Sequence, residues 1–211
     1  MNKNHILSLL LAVALFITTY KLVEMKKGLE EDSQSATTKK EAILSVIHSR
    51  KSVRNYTDKK VSDEDITTIL KAGMAAPSGF NAQPWQFIVI KDRNTMLELR
   101  KELKYARGLD GSPAAIVVCG DMSKVREEAP EFWITDTSAA TENMLLAMEA
   151  MGLGGVWSTL YPGKDRMNHA RKVLNLPEHI MPMCVIPFGY PTGVEKPKDK
   201  FDANNIHMEK W

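Results

Sequence analysis

The stretch Thr135–Pro162, TDTSAATENMLLAMEAMGLGGVWSTLYP, decides the fold. Ala140, Met144, Ala147, Met148 and Met151 recur at helical spacing and form one broad apolar stripe, which predicts a core helix over residues 135–151, the longest of its domain. Gly152 ends it, since a residue without Cβ accepts the left-handed conformation that closes a helix. Gly154-Gly155 then lead through Val156-Trp157-Ser158-Thr159 into a predicted strand. Upstream, Gln86–Ile90 and Ala114–Cys119 are short, apolar and rich in β-branched residues, hence strands. Ser62-x-x-Asp65 opens a helix that carries Ile66, Ile69, Leu70 and Gly73 on one face, and Pro77 stops it. Asp92 or Asn94 opens another, with Met96, Leu97 and Leu103. Downstream, Lys164–Leu174 is an amphipathic helix and Met183–Pro187 a strand. Helices outweigh strands and the βαβ spacing is irregular, so the expected class is an α+β sandwich and not a doubly wound sheet.

Of the 211 residues, 44% are hydrophobic and 26% charged, with 12 Gly and 10 Pro, which excludes a collagen-like chain, a disordered chain and a disulfide miniprotein. The length suits one domain with an appendage. Lys and Arg number 28 against 26 Asp and Glu, a balance that excludes bulk electrostatic attraction to nucleic acid. Cys119 and Cys184 each lie in an apolar run and read as small buried hydrophobes. No CxxC or Cys/His spacing points to a metal, and the five His are scattered singly.

The appendage is N-terminal. Ile6–Tyr20, ILSLLLAVALFITTY, is a mostly apolar run, longer than the core of most signal peptides and shorter than the roughly 20 residues of a spanning helix. A short membrane anchor over residues 1–27 is the preferred expectation. A cleaved signal segment that exports the domain is the alternative, although Ala12-Val13-Ala14 lies inside the apolar run and not after it. Lys3 on one side against Lys21, Lys26 and Lys27 on the other leans toward a membrane-associated protein with a cytoplasmic C-terminal domain. Residues 28–39 are polar and read as a linker, and Thr38-x-x-Glu41 as the capping pattern that opens the folded domain, residues 40–211.

Arg50-Lys51-Ser52-Val53-Arg54 places three cations and a hydroxyl just beyond a helix end. Charges there complement the helix dipole on a solvated surface. In an extended segment, however, Arg50, Ser52 and Arg54 share one face and can grip a phosphate with its attached polyol. Lys196-Pro197-Lys198-Asp199-Lys200 in the polar tail offers alternate lysines for the same anion, or a solvated tail. The loop Pro77-Ser78-Gly79-Phe80-Asn81-Ala82-Gln83-Pro84-Trp85 supplies amide and hydroxyl groups ahead of a strand, suited to the polar edge of a flat heterocycle, and is equally compatible with a plain turn. Gly154-Gly155 permits close approach of backbone to a ligand, or caps the preceding helix.

Taken in order, Arg-x-Ser-x-Arg, Ala-Pro-Ser-x-x-Asn-x-Gln-Pro-Trp, Gly-Leu-Gly-Gly-Val-Trp and Gly-Tyr-Pro with a Lys-Pro-Lys tail resemble the FMN-dependent nitroreductase family over about residues 40–211. The resemblance implies a nitroreductase-like, mostly antiparallel central sheet flanked by helices, and a homodimer whose C-terminal extension reaches the partner subunit. It implies FMN as cofactor and NAD(P)H as donor, with hydride passed by a ping-pong mechanism to a small aromatic acceptor such as a nitro compound or quinone. Other chemistries stay open: a membrane-tethered flavin-binding sensor or docking module, or a relative performing dehalogenation or flavin fragmentation. By matching position, Arg50, Lys51, Ser52 and Arg54 form the first FMN segment, with Arg50 near the phosphate and Arg54 near the pyrimidine edge. Pro77, Ser78 and Asn81 resemble the loop at flavin or ribityl, the latter two from the partner. Trp157, Ser158 and Thr159 match the strand behind the ring, Gly154 and Gly155 open it, and Lys198 and Lys200 match the phosphate-binding tail. No residue is required as a covalent nucleophile or dedicated base. Phe132 and Trp133 are candidates for a lid or for core aromatics.

Overall fold

In the computed structural model, which describes residues 2–211 but not the side chains of 3–14 and 28–36, the chain divides into two compact units, Met1–Ser45 and Val46–Trp211. The first consists of most of helix α1, Lys3–Ser49, which passes without a break through the residues expected as a linker and through Thr38, so Thr38 does not cap a new helix. Among the described residues no helix is long and apolar enough to cross a membrane. This corrects the expected anchor, the membrane as a partner and the membrane-associated location, with the transmembrane reading of the N-terminal hydrophobic helix. The physical reason is length. The 15 residues of the apolar run rise about 22 Å at roughly 1.5 Å each, short of the ~30 Å hydrocarbon core, and Lys21, Lys26 and Lys27 follow directly. Residues 6–14 of that run lie outside the described side chains.

In the second unit local sequence sets each element. Ser62 accepts a hydrogen bond from the Asp65 amide at 3.0 Å and opens α2, Asp63–Met74. Strand β1, Trp85–Ile90, leads to Asp92, which caps α3, Arg93–Glu102, through the Thr95 amide at 2.7 Å. Strand β2, Ala114–Asp121, precedes α4, Phe132–Ala150, whose end is closed by Gly152 at φ +71°. The single strand expected after it is two short ones, β3, Gly154–Gly155, and β4, Ser158–Thr159. Helix α5, Lys164–Leu174, and strand β5, Ile180–Gly189, complete the set.

Every strand pair is antiparallel, in the order β1-β2-β5-β3, with β4 also on β5. Alternation along β2 sends Ile116 and Val118 to one face, where α2 and α4 cover them with Ile69, Met144 and Met148. Ala115, Val117 and Cys119 go to the other face and meet Met96 and Leu99 of α3 and Ala170 of α5. Each fully buried Val, Ile, Leu or Met among these contributes about 1.5–3 kcal/mol, so both faces are held. Cys119 and Cys184 are free and buried in this sandwich, as expected.

Candidate active site

The chain leaves α1 at Arg50 and runs extended beside β3. Ser52 bridges Gly155, and the Val53 amide donates to the Gly155 carbonyl at 3.1 Å. This approach requires glycine: a Cβ on Gly154 would lie 2.4 Å from Val53 Cγ2, and Val53 is wholly buried. Gly154 and Gly155 therefore serve the packing of this segment and line neither of the grooves described below. With Val53 turned inward, Ser52 and Arg54 are exposed. Tyr56 fastens the segment to the sheet, its hydroxyl lying 2.6 Å from the Val53 carbonyl and 2.8 Å from that of Pro187. Burial, with the Glu195 charge, pushes this phenol well above its ordinary value.

After β5 the tail folds back along the same segment. The Thr57 amide donates to the Tyr190 carbonyl at 2.9 Å and the Thr192 amide to the Asn55 carbonyl at 3.1 Å. Glu195 closes the junction: its Oε1 accepts from the amides of Arg54 at 2.8 Å and Asn55 at 3.1 Å, and from Asn55 Nδ2 at 2.9 Å. Desolvation raises the pKa of this carboxyl, but the donors from Arg54 and Asn55 outweigh it and hold it below 4.5. Sequence reasoning missed Glu195, because a contact across 141 residues leaves no local pattern.

The result is a groove of about 400 Å³ into which Arg50, Lys51, Ser52 and Arg54 come from one segment and Lys196, Lys198 and Lys200 from the tail. Two of these cations are already engaged. Arg50 Nε lies 3.1 Å from Glu142, and Lys51 Nζ 3.1 Å from Glu149, both carboxylates being on α4. Arg54 also lines a second groove of about 250 Å³, together with Trp157, Ser158, Thr159, Lys104, Tyr105 and Arg166. The structure thus brings together the first segment, the strand residues and the tail lysines.

The loop with Pro77, Ser78 and Asn81 contributes to neither groove within one chain. Its backbone is bent sharply, with φ of +53° at Phe80, +55° at Asn81 and +48° at Gln83, values uncommon for residues with a Cβ. The Gly79 amide donates to Asp136 at 2.9 Å, Ser78 Oγ accepts from the Gln83 amide at 3.0 Å, and Asn81 Oδ1 accepts from Gln83 Nε2 at 2.9 Å. Phe80 stacks on Phe132 at 5.7 Å. Of the two lid candidates, Phe132 is half exposed, whereas Trp133 is buried and packs edge-on against Tyr161 at 5.0 Å.

Residues 47–107 and 96–190 match the nitroreductase family. The chain belongs to this family. A relative from Archaeoglobus fulgidus, named "Putative NADH dehydrogenase/NAD(P)H nitroreductase", is 42% identical over 174 residues, which cover 81% of this chain and 99% of the relative. A crystal structure bearing that name, from Bacteroides thetaiotaomicron, is 47% identical with a TM-score of 0.76 and covers 81% of this chain and 98% of its own. The FMN-dependent nitroreductase of Clostridium difficile is 27% identical with a TM-score of 0.73, covering 80% of this chain and 99% of its own. These family members share the antiparallel sheet flanked by helices on which both grooves are built.

Proposed function

We propose that the chain is an NAD(P)H-dependent FMN oxidoreductase that reduces a small aromatic acceptor, such as a nitro compound or quinone, by a ping-pong mechanism. The observation that carries this is Arg54, which lines both a cation-rich basin and a narrower groove floored by a strand. The donor set fits FMN. Arg50, Lys198 and Lys200 suit a dianionic phosphate, the Ser52 hydroxyl a polyol, and Trp157–Thr159 the face of a flat ring. Lys51 acts through Glu149, which holds it at the basin wall.

When bound, FMN supplies two-electron chemistry, taking a hydride from NAD(P)H and delivering it to the acceptor. The protein positions the ring and sets its electrostatics. Arg54 offers a fixed positive charge where negative charge develops, in a site that needs no dedicated acid or base. Ser78 and Asn81, remote from the grooves of their own chain, reach the site of a partner in a homodimer. Residues 40–211 make up the flavin domain, and residues 1–27 and 28–39 precede it, from Lys3 onward on the one continuous helix α1. The tail, with Phe201, Ile206, Met208 and Trp211 exposed, is the arm that embraces the partner.

The test is the visible spectrum of the chain purified without added flavin, followed by anaerobic NADPH or NADH in the same cuvette. A yellow protein that bleaches is the expected result. A colourless protein that takes up no FMN overturns the site, and a yellow one that neither nucleotide bleaches overturns the donor.

A further inference from the structure

We propose that Asp136 is a positioning residue: its carboxylate sets the shape of the loop Pro77–Pro84, so that Ser78 and Asn81 present hydrogen-bond donors to the site of the partner subunit. This rests on the reading that the chain is a homodimer whose loop reaches the partner's cofactor.

Asp136 stands in the second turn of α4 and is 4% exposed. Among the described residues it forms no ion pair. A carboxylate taken out of water is costly unless donors hold it, and the donor held here is the Gly79 amide, at 2.9 Å. The core of α4 gives no reason for a charge at this position. Trp133, Ala140, Met144 and Met148 pack in it as hydrophobes, and Thr137 and Thr141 donate to carbonyls of their own helix. The loop does give a reason.

Gly79 is the pivot of that loop. Its amide donates to Asp136, and its carbonyl accepts from the Ala82 amide at 3.0 Å, closing the single turn Gly79–Asn81. Phe132 lies four residues before Asp136, on the same face of α4, and stacks on Phe80 at 5.7 Å. The Arg126 guanidinium lies 4.4 Å from the centre of the Phe80 ring. Gly79 is pressed so close to α4 that a Cβ would lie 2.2 Å from Phe132 Cδ2. One charge-assisted hydrogen bond and one stacked ring thus hold a segment in which Phe80, Asn81 and Gln83 all adopt positive φ. Such a conformation persists only where the surroundings over-determine it.

The shape has a chemical result. Ser78 Oγ accepts from the Gln83 amide and Asn81 Oδ1 from Gln83 Nε2, which leaves the Ser78 hydroxyl hydrogen and the Asn81 Nδ2 hydrogens to donate. That pair suits carbonyl and hydroxyl oxygens of a ligand. Asp136 acts on both side chains through the Gly79 peptide.

The experiment uses the full chain. Hydrogen exchange of the flavin-free protein reads the loop directly: in Asp136→Ala the amides of residues 78–83 should exchange about tenfold faster than in wild type, with β1 and β2 unchanged. The FMN Kd, from fluorescence quenching, should rise about tenfold, and Asp136→Asn, which keeps an acceptor for the Gly79 amide, should stay within about threefold of wild type. Mixed dimers of one Asp136→Ala subunit and one Lys198→Ala/Lys200→Ala subunit, isolated through two different tags, separate positioning from mere damage. Where the loop acts on the partner's site, one site carries both defects and the other neither, so the mixed dimer binds one FMN tightly. Mixed dimers with no tight site overturn the proposal. So does wild-type exchange or wild-type FMN affinity in Asp136→Ala, or an Asn variant no better than the Ala one. Should Asp136→Ala fail to fold, Gly79→Ala takes its place: it keeps the carboxylate, Gly79 is not at a positive φ, and the added methyl parts the turn from Phe132. A wild type that is monomeric or binds no FMN refutes instead the reading beneath.

Discussion

Removing the Glu195 carboxylate should loosen the whole cation basin without touching a cation. In Glu195→Ala the amides of Arg54 and Asn55 and the Asn55 side chain lose their common acceptor, three hydrogen bonds of 2.8–3.1 Å. A hydrogen bond to a charged group is worth about 1.5–3 kcal/mol when buried, but these donors lie at the surface, and screening reduces the sum to about 1–2 kcal/mol. The tail lysines and the Arg50–Arg54 segment then spend less time in register, and the apparent FMN Kd rises by the reciprocal of the closed fraction, at most about 5–30-fold. Fluorescence quenching of FMN measures this directly. The pH dependence is a second reading: because the folded carboxyl titrates below 4.5, the clasp is intact above that value and is lost as pH falls through the lower folded value. Wild-type affinity should therefore drop at acid pH more steeply than that of Glu195→Ala. A variant whose Kd stays within about twofold of wild type, with the same acid profile, would refute the clasp.

The remaining predictions concern packing, thiols and phosphate. Gly154→Ala drives a methyl to 2.4 Å from Val53 Cγ2 and should cost about 1–3 kcal/mol in urea denaturation; an unchanged midpoint would contradict the close approach of the first segment. Burial pushes the Cys119 and Cys184 thiols from 9.0 up to about 12, so the native protein should resist a thiol-specific disulfide reagent at about pH 8. Since the unfolded thiols ionise first, stability should be independent of them below pH 9 and decline from 9 toward 12; rapid native labelling would refute this. Lys198→Ala should weaken FMN about five- to tenfold and leave riboflavin affinity alone, whereas equal weakening of both would remove the lysine from the phosphate.

Much of the fold was legible because its signals are local. Ser62 and Asp92 announce α2 and α3 through their caps, the Met stripe announces α4, and β1 and β2 are unbroken apolar runs. The N-terminal run misled because apolar character is a local signal, whereas a span needs about 20 such residues and this run has 15. The single strand through Val156 splits because both halves pair with β5 at separate registers, Gly154–Gly155 against Phe188–Gly189 and Ser158–Thr159 against Cys184–Val185. In the site, the Arg-x-Ser-x-Arg face was readable from strand alternation. Glu195, Lys104 and Arg166 were not, since each reaches its groove through chain crossings that no spacing encodes.

How the charges are shared explains why a basin so rich in cations folds at all. Glu142 and Glu149 stand seven residues apart, nearly two turns of α4, and so on the same helix face. That face meets Arg50 and Lys51 as the chain leaves α1, and each pair is held at 3.1 Å. Lys51 and Glu149 are mostly shielded from solvent, so removing either partner would leave a charge poorly compensated. These two cations belong as much to the scaffold as to the ligand. Arg54 and the tail lysines have no such carboxylates among the described residues, and the only acid in their groove, Glu195, spends its Oε1 on backbone and amide donors. On the proposed reading an anion relieves their repulsion, which would tie the order of the tail to occupancy of the site.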